Sequence, residues 1–288
     1  MKLDIEKAIV ETGDRTSIVD MQPVLGGSIN QAFYVRTKER EYFAKINKTA
    51  SEQFFLAEKK GLERLRNNGL MVPNPLLLKA RDESEMVFLM EWIRSIPSDE
   101  TGDRRLGSLV AKMHQQHSNQ VGLNEPNFIG ELTQLNSPSS NWVTFYRDLR
   151  LGAMQELAIA KGRISRERDR RLTQLRQRLD SIIGHKPSFS LLHGDLWGGN
   201  WLYGENGQPY LIDPAVYFGD REVDIAFTYL FGGYSKTFYE QYGADYPLEK
   251  EFEDRIPIYQ LYYLLVHLIL FGESYGSAVD RILQKYTL

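Results

Sequence analysis

The stretch Leu191-Leu192-His193-Gly194-Asp195-Leu196-Trp197-Gly198-Gly199-Asn200, followed by Leu211-Ile212-Asp213-Pro214, decides how the whole chain is read. Three oxygen-bearing side chains stand at set intervals: Asp195, Asn200 five residues on, and Asp213 thirteen beyond that. Apolar runs at 189–192 and 209–212 predict short strands that deliver both carboxylates from their ends. Phosphoryl transfer to a hydroxyl needs one carboxylate to orient the nucleophile and accept its proton. It also needs oxygen ligands for Mg2+ on the nucleotide phosphates, because Mg2+ prefers carboxylate, amide oxygen and water. Asp195 suits the first task, and Asn200 and Asp213 suit the second. An Asp and an Asn can equally cap and close a turn. The His-Gly before Asp195 and the Ile-Asp-Pro around Asp213 favour phosphotransfer.

Upstream, the pattern is strand, glycine turn, strand. Met21 to Leu25 leads into Gly26-Gly27-Ser28-Ile29-Asn30, and Ala32 to Val35 follows. Tyr42-Phe43-Ala44-Lys45-Ile46 is a third strand, with Lys45 pointing opposite to Ala44 and Ile46. A helix is expected from about Ser51 to Asn67, because Phe54, Phe55, Glu58, Leu62 and Leu65 recur at helical spacing. A buried lysine can hold the α and β phosphates of a nucleotide if a carboxylate positions it. Glu58 is the expected partner of Lys45; Glu52 is the rival, but the helical stripe sets Glu58 beside the apolar residues. Gly26, Gly27, Ser28 and Asn30 form a turn whose backbone N–H groups can approach phosphate oxygens. It is neither a G-x-G-x-x-G nor a Walker motif, and in isolation it is an ordinary hairpin turn.

Leu76 to Leu78 and Met86 to Trp92 complete a sheet of about five strands with one inserted helix. The end of the last strand supplies Met90, Glu91 and Ile93 as the nucleotide hinge, where main-chain groups would meet adenine. Composition turns helical beyond Arg94 to Ser98. The expected organisation is therefore α+β and bilobal: an N-lobe of antiparallel sheet at 1–93 that opens with a short lead-in helix over 1–18, and a mostly helical C-lobe at 94–288. In the second part helices are expected at 103–117, 142–160, 164–183, 223–231, 236–242, 248–271 and 277–286.

Bulk properties exclude several classes. The 288 residues, 42% hydrophobic and 25% charged, are those of an ordinary globular protein long enough for two cores. A net charge of −3 gives no general drive toward nucleic acid or an anionic membrane. The arginines at 166, 168, 170, 171, 176 and 178 alternate with Glu167, Asp169 and Asp180, which reads as a solvated face. With no cysteine there is no disulfide or thiolate zinc site. Charges interrupt the first apolar residues, and the longest apolar stretch, Leu264 to Phe271, is too short to span a bilayer. The expectation is a cytoplasmic monomer or weak dimer with no nucleic-acid or membrane partner.

Other polar residues read as structural. His193 precedes the base position and is expected to brace the loop, and His114 and His267 lie on apolar helix faces. Asp224, in the charged run Asp220-Arg221-Glu222-Val223-Asp224, is expected to cap its helix or bind the loop backbone. Trp197, an aromatic face between base and metal ligand, is either loop filler or a surface against which a sugar packs.

His193 to Asn200 with Ile212-Asp213-Pro214-Ala215 resembles the motifs of the aminoglycoside-phosphotransferase-like kinases, which share the protein-kinase two-lobe fold. Trp197, the run Tyr217 to Ala226 and Leu230-Phe231-Gly232-Gly233 make the chain similar to the fructosamine/ketosamine-3-kinase family, nearly full length from Gly26 on. That resemblance implies ATP- and Mg2+-dependent phosphorylation of the 3-hydroxyl of a ketosamine, small or protein-bound, the sugar adduct left by glycation. The phosphorylated adduct then falls off, so the implied role is deglycation repair. Asp213-Pro214 stands where protein kinases carry Asp-Phe-Gly, and no Ala-Pro-Glu segment follows, so activity without activation-loop switching is expected. The rivals are a small-molecule kinase of the aminoglycoside, choline or homoserine type and a non-catalytic nucleotide-binding protein.

Overall fold

In the computed structural model, residues 2–24, 30–47, 52–82 and 85–287 are described, with backbone only for 79–82 and 85. The chain forms two compact units, one of residues 1–105 with 200–214 and the other of 106–199 with 215–288.

The first unit opens with helix α1 (Lys2–Glu11), shorter than the 1–18 expected from the sequence. It stops because Gly13 takes a φ of +92° and Asp14 organises the turn, accepting from the Thr16 amide and hydroxyl, Thr37 and Tyr42. Those hydrogen bonds outweigh burial and hold the Asp14 carboxyl down at about 2. Strands β1 (Ile18–Val24), β2 (Gln31–Thr37) and β3 (Glu41–Asn47) follow, then α2 (Glu52–Asn67), β4 (Pro75–Asp82) and β5 (Glu85–Glu91). The five expected strands form one antiparallel sheet in the order β1-β2-β3-β5-β4.

Alternation along β3 sorts its side chains between the sheet faces. Tyr42, Ala44 and Ile46 join Val35, Val87 and Leu89 beneath Ile5, Ala8 and Ile9 of α1. Lys45 takes the opposite face, opposite Phe88, whose ring meets Phe55 of α2 at 5.9 Å. Strand β6 (Ser95–Ile96) and the start of α3 (Glu100–His114) extend this unit beyond residue 93.

The second unit carries β7 (His117–Ser118), the hairpin β8 (Asn127–Ile129) and β9 (Leu132–Gln134), and α4 (Trp142–Phe145). The helix expected over 142–160 is continuous, but its middle, Tyr146–Gly152, is π-helical before α5 (Ala153–Ala160). The one expected at 164–183 breaks at Arg178 into α6 (Arg166–Gln177) and α7 (Leu179–Ile183). Strand β10 (Phe189–Leu192) ends this first part.

Strands β11 (Trp201–Gly204) and β12 (Pro209–Leu211) pair with each other, and β11 pairs with β6, so this hairpin belongs to the first unit. The chain then returns to the second unit as β13 (Tyr217–Asp220), within a run whose charges gave no strand signal. It pairs with β10 in the order β13-β10-β7. Helices α8 (Glu222–Phe231), α9 (Lys236–Asp245), α10 (Phe252–Phe271) and α11 (Gly276–Thr287) complete the unit around the buried aromatic and aliphatic face of α10. No helix among the described residues is long and apolar enough to cross a membrane.

Candidate active site

The sheet and α2 bring Lys45 and Glu58 together because each stands on the buried face of its own element. Phe55, Glu58, Leu62 and Leu65 repeat on one side of α2, and Lys45 faces the same side of the sheet. Lys45 Nζ donates to Glu58 Oε1 and to Asp213 Oδ1, each at 2.7 Å, and the lysine is only 5% exposed. Burial opposes the ammonium, but the two carboxylates prevail and push its pKa upward. One ammonium cannot neutralise two carboxylates, so desolvation together with Asp213 raises the enclosed Glu58 carboxyl to about 7. The Asp213 side chain is 47% exposed, so one face of it remains open to solvent.

Asp213 lies just past β12 with a φ of +54°, a left-handed conformation that Asp tolerates better than most residues. Trp201 pairs with Leu211, and the Ile212 amide donates to the Asn200 carbonyl at 3.0 Å. The β11–β12 hairpin thus sets Asn200 and Asp213 at its same end. Both offer hard oxygen atoms suited to Mg2+.

Asp195 belongs to the second unit and is half-buried on the loop after β10. The main chain in front of it is held at four points. The wholly buried Asp224 carboxylate accepts the amides of His193 at 2.6 Å and Gly194 at 2.9 Å. The His193 carbonyl accepts from the Ala215 amide, and the Gly194 carbonyl from the Tyr263 hydroxyl. Gly194 is required there: its φ is +80°, and a Cβ would lie 2.1 Å from the Ala215 carbonyl oxygen. His193 is buried and accepts the Asp195 amide on Nδ1 at 3.3 Å, the expected bracing role. His114 presents Nε2 to Asp224 at 3.2 Å and Nδ1 to the Tyr242 hydroxyl at 2.9 Å, and burial pushes its pKa down, which keeps it neutral.

The remaining expected residues fall as follows. Gly26, Gly27 and Ser28 lie outside the described residues. The Asn30 side-chain oxygen accepts from Asn47 of β3 at 2.7 Å. Met90 is buried at the end of β5, Ile93 is buried just beyond it, and Glu91 is exposed with its amide donating to the Asn74 carbonyl. Trp197 is 39% exposed and its carbonyl accepts from the Tyr234 hydroxyl.

An aromatic group that sequence reading did not assemble lies one residue from this loop's packing contact. A Cβ on Gly198 would sit 2.8 Å from the Gly232 carbonyl oxygen, and Gly232 follows Phe231. The Phe231 ring lies 4.8 Å from His267, which also meets Tyr275 at 5.0 Å and Phe271 at 5.5 Å. The arginines of α6 are largely paired, with Glu167 taking Arg170 and Arg171, and with Glu273 and Asp280 taking Arg168. Arg168 is only 7% exposed, so the face expected to be solvated is in part buried, its guanidinium held between two carboxylates.

The fold, with its five-stranded antiparallel sheet and helical second unit, is of the protein-kinase-like class. The family described as fructosamine kinase matches residues 1–288, and the chain belongs to that family. A Lactiplantibacillus plantarum protein named "Probable ketoamine kinase" is 42% identical over 94% of this chain and 95% of its own. The Arabidopsis thaliana "Protein-ribulosamine 3-kinase, chloroplastic" is 32% identical over 98% of this chain and 87% of its own. The crystal structure of a candidate fructosamine-3-kinase from Haemophilus somnus superposes with a TM-score of 0.89 at 26% identity, covering 99% and 97% of the two chains. An aminoglycoside phosphotransferase in ternary complex with AMP-PNP and hygromycin B shares the fold, with a TM-score of 0.69 at 16% identity and 98% of each chain covered.

Proposed function

We propose that this chain transfers the γ-phosphate of ATP to the 3-hydroxyl of a ketosamine, a deglycation step carried out in the cytoplasm. The observation that carries the reading is the buried Lys45 bonded at 2.7 Å to both Glu58 and Asp213. It is the phosphate-holding lysine with its positioning carboxylate, already joined to a metal-ligating aspartate. Asn200 and Asp213 would hold Mg2+, which when bound neutralises charge on the phosphates of the nucleotide. Lys45 would hold the α and β phosphates, Gly26, Gly27, Ser28 and Asn30 would cover them, and Met90, Glu91 and Ile93 would meet adenine through their main chain. Asp195 accepts the proton of the acceptor hydroxyl as that oxygen bonds to the γ-phosphorus and the bond to the ADP oxygen breaks. The loop clamped by Asp224 and Tyr263 holds that carboxylate in place. The exposed face of Trp197 is the surface on which the sugar packs. Membership in the fructosamine kinase family and the ketoamine and ribulosamine kinase names of its relatives support the acceptor class.

The test is an ATP-consumption screen across ribulosamine, erythrulosamine and fructosamine acceptors, with an aminoglycoside and choline as controls. Turnover of at least one ketosamine and of neither control is expected. Turnover of a control with no ketosamine would overturn the acceptor assignment.

A further inference from the structure

We propose that Arg150 is a positioning residue of the phosphotransfer reaction, a role that rests on Asp195 as the base. Arg150 is fully buried, yet among the described residues it has no carboxylate within ion-pair distance. Arginine is almost never wholly buried unless paired. Its acceptors are neutral: the carbonyls of Leu135 and Leu149 and the side-chain oxygen of Asn136 at 2.8 Å. Its guanidinium lies over the rings of Tyr217 at 4.0 Å and Phe145 at 4.6 Å, with Tyr262 farther off. Nε has no hydrogen-bond partner. An apolar side chain of similar size would fill such a site at less cost in desolvation. Stability alone therefore does not account for an arginine here.

The local backbone is also unusual. Arg150 lies within the π-helical stretch Tyr146–Gly152, a rare conformation that often marks functional sites. An α-helix in place of that stretch would turn the side chain about 100° around the axis, away from these partners.

The partners of Arg150 converge on one piece of backbone. The Asn136 amide donates to Asn127 Oδ1, which also accepts from Gln134. Gln134 donates to the Ala215 carbonyl, Asn127 donates to the Val216 carbonyl, and Tyr262 donates to Gln134. Residues 215, 216 and 217 are thus held in succession, the last by its ring beneath the guanidinium. Ala215 donates to the His193 carbonyl, and Tyr217 pairs with Leu192. The cation therefore anchors the strand against which the Asp195 loop is laid, without touching the reacting atoms.

The test uses Arg150→Met and Gln134→Leu in the full chain, with Asp195→Ala as reference and a ketosamine acceptor. Arg150→Met should lower kcat by about tenfold to a hundredfold, the scale expected when a reacting group is misplaced by roughly 1 Å. Its affinity for Mg-AMP-PNP should stay within about twofold, because Lys45, Glu58, Asn200 and Asp213 all belong to the other unit. Gln134→Leu should change kcat in the same direction and leave nucleotide affinity alone. Single-turnover rates should show no further loss when Arg150→Met is added to Asp195→Ala. An unchanged kcat, a parallel loss of nucleotide affinity, or the same fold-loss in the Asp195→Ala background would overturn the proposal. If Arg150→Met does not fold, Gln134→Leu decides by the same criteria. Full turnover by Asp195→Ala would instead overturn the assignment of the base.

Discussion

Replacing Asp224 tests the loop clamp where it is most concentrated. Its carboxylate is inaccessible to solvent and is the acceptor for two consecutive main-chain amides, those of His193 and Gly194. Asp224→Ala leaves both donors buried and unpaired, at about 1–3 kcal/mol each and hence about 2–6 kcal/mol together. That is a large part of the roughly 5–15 kcal/mol that keeps a domain folded. Asp224→Asn is the more informative change, because its carbonyl oxygen still serves one amide while its NH2 group faces the other. A loss of about 1–3 kcal/mol is expected, read as a lower urea midpoint at unchanged slope. Because the same amides carry Asp195, kcat should fall at least about tenfold while Mg-AMP-PNP affinity holds. An Asp224→Asn protein with the wild-type midpoint and a kcat within about twofold of wild type would refute the clamp.

Two further changes probe other parts of the site. Glu58→Gln should weaken Mg-AMP-PNP binding, since it removes the carboxylate that orients Lys45, and isothermal titration would show this. The same substitution should flatten a pH dependence. The folded Glu58 carboxyl titrates near 7 against an ordinary 4.5, so the native state keeps a proton that the unfolded state gives up between those values. Wild-type stability should therefore fall as pH rises from 4.5 through 7, and the variant should lose that component of the slope, as pH-resolved urea midpoints would show. Gly194→Ala adds a Cβ 2.1 Å from a carbonyl oxygen at a φ of +80°, so a cost of about 3 kcal/mol or more is expected in the same urea assay.

Much of this site is legible in the sequence, for identifiable reasons. Lys45 and Glu58 declare themselves because strand alternation and helical spacing each allow one buried face, and both residues interrupt an apolar pattern on that face. The loop residues declare themselves by their spacing together with the His-Gly before Asp195 and the Ile-Asp-Pro around Asp213. Pairings across long separations are harder to read: the bond from Lys45 to Asp213 spans 168 residues, and no local pattern encodes it. The β11–β12 hairpin joins the first unit through β6, a two-residue strand too short to leave a periodic signal. Strand β13 hid in a charged run because Asp220 is buried by partners from elsewhere, the His185 ring and the Tyr259 hydroxyl. Arg150 and Tyr263 were missed for the same reason: each sits within an ordinary helical pattern, and only tertiary contacts turn them toward the loop.

On the proposed function, Asp195 is the base of a ketosamine kinase. Asp195→Ala, assayed by ATP consumption with a ribulosamine or fructosamine, tests that assignment most directly. Turnover lower by about a hundredfold or more is expected, with Mg-AMP-PNP bound as tightly as in the wild type. Turnover within a few-fold of wild type would contradict it.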